Sequence, residues 1–280
     1  MGGLKRLSGG VVVGTYIYDQ AWQAERERLR ALEDLYDEPS THRLAALGVT
    51  AGWRCLEVGC GAGGVARWLA ARVGASGQVV ATDVDPRFVE GEATGNLEVW
   101  RHDIVTDPLE EGAFDLVHAR AVLEHVPARM QALARMVAAT RPGGWVVVED
   151  VDLGGPMTQA WLRYALPAEH APLCERILHA FEVLFAAAGA DPRFGPSLPA
   201  ALRAVGLTNV GAELHAPFVW GGGARDFGRL SAQHLRGHMV GAGLVTEQEV
   251  ERFLALTARA DFGCLSVPMV TAWGQRPTGP

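Results

Sequence analysis

Cysteine is scarce in this sequence, and long hydrophobic runs are missing from it. Four cysteines stand at positions 55, 60, 174 and 264 without a C-x-x-C pair, which excludes a disulfide framework and the common zinc patterns. The opening MGGLKRLSGGVVVG has one short apolar triplet, too brief for the hydrophobic region of a signal peptide, and no later window reaches membrane-spanning length. We therefore expect a cytoplasmic protein with no membrane partner.

Clustered positive charge is also missing. The net charge is −7, and Lys5 is the only lysine. Proteins that bind nucleic acids use clustered lysine and arginine, so we expect no nucleic-acid partner. What the chain does have is length and apolar content: 280 residues, 49% of them hydrophobic, suffice for a large core without covalent staples.

The N-terminal part predicts helices. Residues 16–37 place apolar side chains at helical spacing among charges, which indicates a surface-packed amphipathic helix. We expect Pro39 to interrupt it, and a second short helix to end at Gly48. We therefore expect residues 1–48 to form an N-terminal helical cap.

From residue 53 onward, short apolar strands alternate with helices. The expected strands are WRCLEV, GQVVATD, NLEVWRHD, AFDLVHAR and GGWVVVEDVD. Near-continuous valine and leucine runs of this kind are typical of a parallel sheet that is covered on both faces. The sequence thus predicts a doubly wound α/β core over residues 49–152.

The regular alternation ends after the fifth strand. Residues 153–204 are predicted to be helical, LTNVGAELHAPFVW to be a sixth strand, residues 226–260 to be helical again, and 264–275 to be the last strand. Ligands of doubly wound sheets bind at the carboxyl ends of the strands, where helical insertions would serve as lids. We expect residues 153–280 to supply substrate lids after strands five and six, together with the last strands of the same sheet.

The first predicted strand runs into a glycine-rich turn, LEVGCGAGG. Gly59, Gly61 and Gly64 satisfy the dinucleotide fingerprint G-x-G-x-x-G, so the glycines alone do not identify the ligand. Glu57, two residues before the first glycine, is more informative. A carboxylate there would repel a pyrophosphate but would attract S-adenosylmethionine, which carries an α-ammonium and a sulfonium. We therefore favour S-adenosylmethionine.

Acidic residues also end the next two strands. Asp83 can accept both ribose hydroxyls of an adenosine cofactor, with Asp85 as the alternative in a neighbouring register. Asp103 can accept the exocyclic amine of adenine, with Val84 and Ile104 as apolar walls; the alternative is a surface acid at a strand end.

Five motifs together resemble the class I S-adenosylmethionine-dependent methyltransferases: LEVGCGAGG, VVATDVDP, RHDI, FDLVHARAVLEHVP and LARMVAATRPGGWVVVED. They lie within residues 53–151, about a third of the chain, in the order of that family. The resemblance implies a mostly parallel, seven-stranded, Rossmann-like sheet with a late antiparallel strand, and S-adenosylhomocysteine as product. It also implies the residues that line the cofactor: Glu57, Gly59, Cys60, Gly61, Gly63, Asp83, Val84, His102, Asp103, Ile104, Ala119 and Arg120.

The segment TYIYD is a second point of resemblance. Small-molecule members of the family, including natural-product enzymes, often fold an N-terminal helix over the cofactor, with a tyrosine near its methionine end. Tyr16 and Tyr18 are both candidates for that tyrosine. The alternative is that both side chains pack at the start of the helix.

Methyl transfer from a sulfonium requires chiefly alignment of the two reactants and exclusion of water. A base is needed when the acceptor is a hydroxyl or a protonated amine. The candidates are His125, which follows the fourth strand, and Asp150, which shares a strand face with Asp152; Tyr18 could also contact the reacting groups. The alternative for His125 is a helix-start histidine bonded to the backbone.

The histidines of HLRGH, His234 and His238, would share one helical face, but a third ligand and the acidic residue of the zincin pattern are missing, so we expect no metal. Aromatic side chains in the two insertions are mostly core, and a few would make an apolar pocket. This favours a small organic acceptor, an aromatic specialised metabolite such as an indole, methylated at carbon or nitrogen.

Three other functions stay open at this point. They are a nucleic-acid or protein methyltransferase, an NAD-dependent oxidoreductase, and a non-catalytic protein that binds S-adenosylmethionine. The N-terminal helix could serve an interface between two copies of the chain, but nothing in the sequence requires a homodimer.

Overall fold

A computed structural model describes residues 17–19, 21–223 and 226–279. Its described residues form two compact units. The helical unit contains those within Met1–Leu35, Val151–Arg193 and Ala216–Pro268, and the sheet unit contains those within Tyr36–Asp150, Phe194–His215 and Met269–Pro280.

The strands are β1 (Arg54–Val58), β2 (Gln78–Asp83), β3 (Leu97–Arg101), β4 (Phe114–Arg120), β5 (Thr140–Val151), β6 (Thr208–His215), β7 (Phe218–Trp220), β8 (Gly263–Leu265) and β9 (Met269–Gln275). The α-helices are α1 (Glu25–Ala46), α2 (Gly64–Val73), α3 (Arg129–Ala139), α4 (Pro156–Trp161), α5 (Ala171–Ala187), α6 (Leu198–Ala204), α7 (Phe227–Gly241) and α8 (Glu247–Thr257). Short 3₁₀ turns cover Glu90–Glu92, Leu123–His125, Leu162–Tyr164, Ala168–His170 and Gly195–Ser197.

Seven strands form one sheet in the order β3-β2-β1-β4-β5-β9-β6. The pairs β3–β2, β2–β1, β1–β4 and β4–β5 are parallel, and β9 is antiparallel to β6. It is also antiparallel to β5, because Arg276 bonds to the main chain of Gly144 whereas Thr271 bonds to the side chain of Glu149. The structure thus confirms the predicted Rossmann-like sheet, including its late antiparallel strand.

Both faces of the inner strands of this sheet are buried, as a parallel sheet with helical crossovers requires, whereas the edge strands β3 and β6 are partly exposed. Successive side chains of a strand point to opposite faces. Accordingly Val146 packs with Leu133 of α3 and Leu198 of α6, whereas Val147 packs with Leu69 of α2. The apolar runs read from the sequence therefore become two cores, one on each side of the sheet.

The expected break at Pro39 is wrong. Helix α1 begins at Glu25 and continues through Pro39 to Ala46. A proline in a helix costs about 3 kcal/mol because it removes a hydrogen bond and crowds the preceding turn. Here Leu44 beyond the proline is fully buried, and the Ser40 hydroxyl lies 2.7 Å from the Tyr36 carbonyl. Packing of the following turn outweighs the cost of the proline.

The last two predicted strands are each divided in two. The expected sixth strand ends at His215, and β7 pairs instead with β8 in a separate antiparallel two-stranded sheet. The expected final strand is likewise divided into β8 and β9. Pro217 and Pro268 stand at these two breaks, where the missing N–H ends each hydrogen-bond ladder.

The helical unit has its own core, in which Ile177 of α5, Leu235 of α7 and Val250 of α8 are fully buried. Helices α4 and α5 follow β5 in the chain, and α7 and α8 follow β7, so helices occupy the chain positions expected for the insertions. Side-chain caps at Asp226 and Thr246 begin α7 and α8. In the described part of the chain, no helix combines the length and the apolar character needed to cross a membrane.

Candidate functional site

The turn between β1 and α2 can be built only from glycine at its key positions. Gly59, Gly61 and Gly63 have φ angles of 69°, 54° and 89°. A Cβ atom on Gly59 would lie 2.3 Å from Cγ2 of Val122, well inside van der Waals contact. The glycines therefore let the main chain of this turn pass close to its neighbours at the carboxyl end of β1.

Asp83 connects this turn to the end of β2. Its Oδ2 accepts from the main-chain N–H of Gly61 at 3.1 Å, and its Oδ1 accepts from that of Asp85 at 2.9 Å. Burial raises the pKa of Asp83 against the effect of these hydrogen bonds. The carboxylate of Asp85, by contrast, forms ion pairs with Arg87 and Arg101. Asp83 is thus the acid that faces the glycine turn.

Of the residues expected to surround an adenine, some have exposed side chains and others are buried. Val84 exposes 55% of its surface, which leaves an apolar side chain open beside Asp83. Asp103 lies past the end of β3, and its Oδ1 accepts from the N–H of Val105 at 2.8 Å. Ile104, in contrast, packs into the core, and the ring of His102 is buried.

Glu57 belongs to a buried row of ionisable side chains that crosses three strands. Its Oε2 lies 2.6 Å from Nδ1 of His118 on β4, and Nε2 of His118 lies 2.8 Å from Oε1 of Glu149 on β5. Oε2 of Glu149 lies 2.9 Å from the hydroxyls of both Ser40 and Thr271. Glu57 was expected to face a ligand alone, yet the structure gives it a partner inside the protein.

These contacts determine the protonation states of the three side chains in the row. Burial opposes a charge on His118, but Glu57 and Glu149 outweigh burial and raise its pKa to about 9. Burial would raise the pKa of Glu149, but the hydrogen bond and charge of His118 lower it below its usual value. For Glu57, burial prevails and raises the pKa. His118 is therefore an imidazolium at neutral pH.

The other residues of the sheet unit that were expected to line the cofactor have side chains packed inside the protein. Arg120 donates to the Ser40 hydroxyl at 2.9 Å and pairs with Asp37 at 2.5 Å. The side chains of Ala119 and Cys60 are buried. Contacts from Ala119 and Cys60 to a ligand would come from their main chain.

Asp150 and His125 lie around the turn that follows β4. Asp150 is fully buried, and its Oδ1 accepts from the N–H of Val122 at 3.2 Å. Burial and the neighbouring Glu124 raise the pKa of Asp150 well above its usual range. His125 is half-buried, with Nε2 3.3 Å from Oε1 of Glu124.

Tyr18 lies in the helical unit, and Tyr16 lies outside the described residues. The ring of Tyr18 is buried, 5.9 Å from Phe185 and 5.2 Å from His234, with the Arg28 guanidinium 3.7 Å above it. The catalytic and cofactor roles expected for Tyr18 stay predictions.

His234, singled out for its spacing from His238, also contacts Glu25, with Nδ1 3.2 Å from its Oε2. In the ranges that the structure describes, no group of three or more potential ligands could hold a metal ion.

Sequence reasoning missed His118. The one available signal was a histidine within the apolar strand FDLVHAR, where a buried polar side chain demands a partner.

Comparison with known proteins identifies the protein family that the chain resembles. A family model described as "Methyltransferase domain" matches residues 18–192. The chain is 29% identical to methyltransferase str3 of Strobilurus tenacellus over 64% of this chain and 62% of that protein. It is 29% identical to methyltransferase GfsG of Streptomyces halstedii, over 46% and 45% of the two chains. The chain spans about half the length of the curated relatives that it matches.

Solved structures share the fold. The YcgJ protein of Bacillus subtilis matches with a TM-score of 0.58 at 11% identity, over 87% of this chain and 100% of that one. Phosphoethanolamine N-methyltransferase 2 of Haemonchus contortus, solved with S-adenosyl-L-methionine, matches with a TM-score of 0.56 at 15% identity, over 94% and 60%.

Proposed function

We propose, since this chain belongs to the class I S-adenosylmethionine-dependent methyltransferases, that it transfers a methyl group from S-adenosylmethionine to a small organic acceptor. The observation that carries this proposal is the pair of acids on the glycine turn. Glu57 and Asp83 stand at the carboxyl ends of the adjacent strands β1 and β2, beside a turn whose glycines would let a ligand approach the main chain closely. Negative charge there selects a cationic ligand over a pyrophosphate.

The residues present fit this cofactor. His118 engages Oε2 of Glu57, so Oε1 is the oxygen that would take the α-ammonium. Asp83 would accept the ribose hydroxyls, and the exposed side chain of Val84 would cover one face of the adenine. Asp103 would accept the adenine amine.

S-adenosylmethionine, when bound, supplies an electrophilic methyl group on a sulfonium. The chain itself then has to orient the acceptor, exclude water and take up a proton. The half-buried ring of His125 is suited to receive that proton from a hydroxyl or amine acceptor. Asp150 would act through the main chain, because it holds the N–H of Val122 at the start of the turn that carries His125.

We further propose an aromatic acceptor, indole-like, methylated at carbon or nitrogen. Aromatic side chains of the helical unit support this class. Trp220 is 61% exposed and makes an edge-to-face contact with Phe218 at 5.0 Å, and Tyr164 is exposed as well. Aromatic faces favour flat or cationic acceptors.

Calorimetric titration tests the cofactor. S-adenosylhomocysteine should bind the protein and NADH should give no heat. Asp83→Ala should abolish binding, because the ribose would lose both acceptors, whereas Asp261→Ala, which removes an exposed acid of the helical unit, should bind normally. Binding of NADH without binding of S-adenosylhomocysteine would overturn the proposal.

The reaction requires a second assay. Release of S-adenosylhomocysteine is measured against panels of amines, phenols and indoles. Turnover with indoles above the other panels supports the proposed acceptor, and turnover only with acyclic amines contradicts it. Tight cofactor binding with no turnover in any panel would indicate a non-catalytic binding protein.

A further inference from the structure

The ionisable row that ends at Glu57 continues through the interior as an unbroken set of hydrogen bonds. The hydroxyls of Ser40 on α1 and Thr271 on β9 lie 2.9 Å from Oε2 of Glu149. Glu149 meets His118, and His118 meets Glu57. Four secondary-structure elements beyond β1 thus converge on one carboxylate of the proposed cofactor site.

The members of this row differ in how much bonding capacity they have left. Both nitrogens of His118 and both oxygens of Glu149 have partners within the sheet unit. Glu57 uses Oε2 toward His118, and Oε1 has no hydrogen-bond partner within the described ranges of the chain. The buried end of the row is saturated, and its one unsatisfied oxygen belongs to Glu57.

The charged groups around His118 support the same conclusion about Glu57. Facing His118 are Glu57 from β1 and Glu149 from β5, with Arg120 on its own strand and Asp37 on α1 at the far end of the network. The two carboxylates and the two cations balance, and Asp37 leaves one negative charge in excess. Buried charges of this kind persist only when they are paired.

We infer that His118 is a positioning residue for the cofactor. Fixed between two carboxylates and carrying positive charge, it favours the ionised form of Glu57 against burial and holds that carboxylate in place for the α-ammonium. This inference rests on the proposed function, and it assigns a role in cofactor binding to a residue that contacts neither the cofactor nor the acceptor. Without the imidazolium, burial and the like charge of Glu149 would act on Glu57 unopposed by His118, and Glu57 would lose the charge that the ammonium requires.

The test compares two ligands on His118→Gln. S-adenosylhomocysteine carries the α-ammonium, and 5′-methylthioadenosine keeps the adenosine but lacks it. We expect the substitution to weaken S-adenosylhomocysteine roughly 10- to 100-fold at pH 7, as expected for loss of a charged hydrogen bond, and to leave 5′-methylthioadenosine unchanged. His42→Gln, which removes an exposed histidine of α1, is the control and should bind both ligands normally.

The outcomes separate the two proposals. Equal weakening of both ligands would mean a merely structural role and would overturn the inference. Unchanged or tighter binding of S-adenosylhomocysteine would overturn it too, because His118 would then only repel the ammonium. Failure of the unsubstituted protein to bind either ligand would instead contradict the proposed function.

A second measurement needs no substitution. In protein labelled with ¹⁵N-histidine, long-range ¹H–¹⁵N spectra report whether each ring is protonated. His118 is fully buried, so its ring N–H protons should exchange slowly and identify its signals. Both ring nitrogens of His118 should carry protons at pH 7, with shifts that move when S-adenosylhomocysteine binds but not when 5′-methylthioadenosine binds. A neutral ring at pH 7 would overturn the inference even if His118→Gln does not fold.

Discussion

Raising the pH from 6.5 to 9 should weaken the fold through the buried ring of His118. In the folded chain the carboxylates of Glu57 and Glu149 raise its pKa to about 9, whereas the ordinary value is 6.5. Between these values the folded chain holds a proton that the unfolded chain has released. The stabilisation is therefore fully present below pH 6.5 and is lost as the pH rises through about 9.

The size of the effect follows from the same two values. Each unit of difference corresponds to about 1.4 kcal/mol, so the gap between 6.5 and about 9 corresponds to about 3 kcal/mol. That is a large share of the 5–15 kcal/mol typical of a folded domain. The lowered pKa of Glu149 affects the free energy of unfolding only at acid pH, because its contribution is lost as the pH falls. It therefore does not change the stability between pH 6.5 and 9.

The assay is urea unfolding, followed by circular dichroism, at pH 6, 7.5 and 9. The free energy of unfolding should fall by about 3 kcal/mol across the series. In His118→Gln most of this fall should disappear, and in His42→Gln, where the lost histidine is exposed, it should persist in full. The part that remains in His118→Gln comes from buried thiols such as Cys55 and Cys264, whose pKa burial raises. A free energy of unfolding that stays flat from pH 6 to 9 in the unsubstituted protein would refute the reasoning, as would an equal fall in His118→Gln.

Two further substitutions test local structure. Gly59→Ala should destabilise the fold by roughly 2–4 kcal/mol, because the φ of this residue is 69° and the new Cβ would overlap Val122. Gly95→Ala is the control and should cost under about 1 kcal/mol, because the space around Gly95 is open. Equal urea midpoints for the two variants would contradict this prediction. Thr246→Ala should cost about 1 kcal/mol in thermal unfolding, because the capping box with Glu249 would be lost; a melting temperature equal to that of the unsubstituted protein would count against the capping argument.

The sheet and the glycine turn could be predicted because their signals are local. The runs that became β1 to β5 are nearly all apolar, and the turn glycines fall directly after the first of them. We favour Asp83 over Asp85 because a strand end faces the turn while a residue before Pro86 does not, and its role toward the ribose stays a prediction. The contacts of Asp83 with the main chain agree with this reasoning.

The ionisable row could not be predicted from the sequence, because it depends on which strands are neighbours. Glu57 stands opposite His118 in the pairing of β1 with β4, and Glu149 stands two pairs further along β4 and β5, on the same face of the sheet. Sixty-one residues separate the first pair in the chain. No periodicity within one strand reveals such a contact, so Glu57 seemed free for a ligand.

The continuous helix α1 shows a second limit of prediction from the sequence. Pro39 is a strong local signal for a helix end, and the burial of Leu44 is decided by residues far away in the chain. When local preference and distant packing disagree, packing can prevail by a few kcal/mol.

The position of β9 has a consequence for synthesis of the chain on the ribosome. Among the described strands β9 comes last in the chain, yet it lies inside the sheet, between β5 and β6. Strands β1 to β5 can pair as they emerge, but β5 must keep an unpaired edge until residues 269–275 leave the exit tunnel. Exposed strand edges attract other chains. We therefore expect truncation just before β9 to yield aggregates rather than a smaller folded protein, since β5 would keep an unpaired edge.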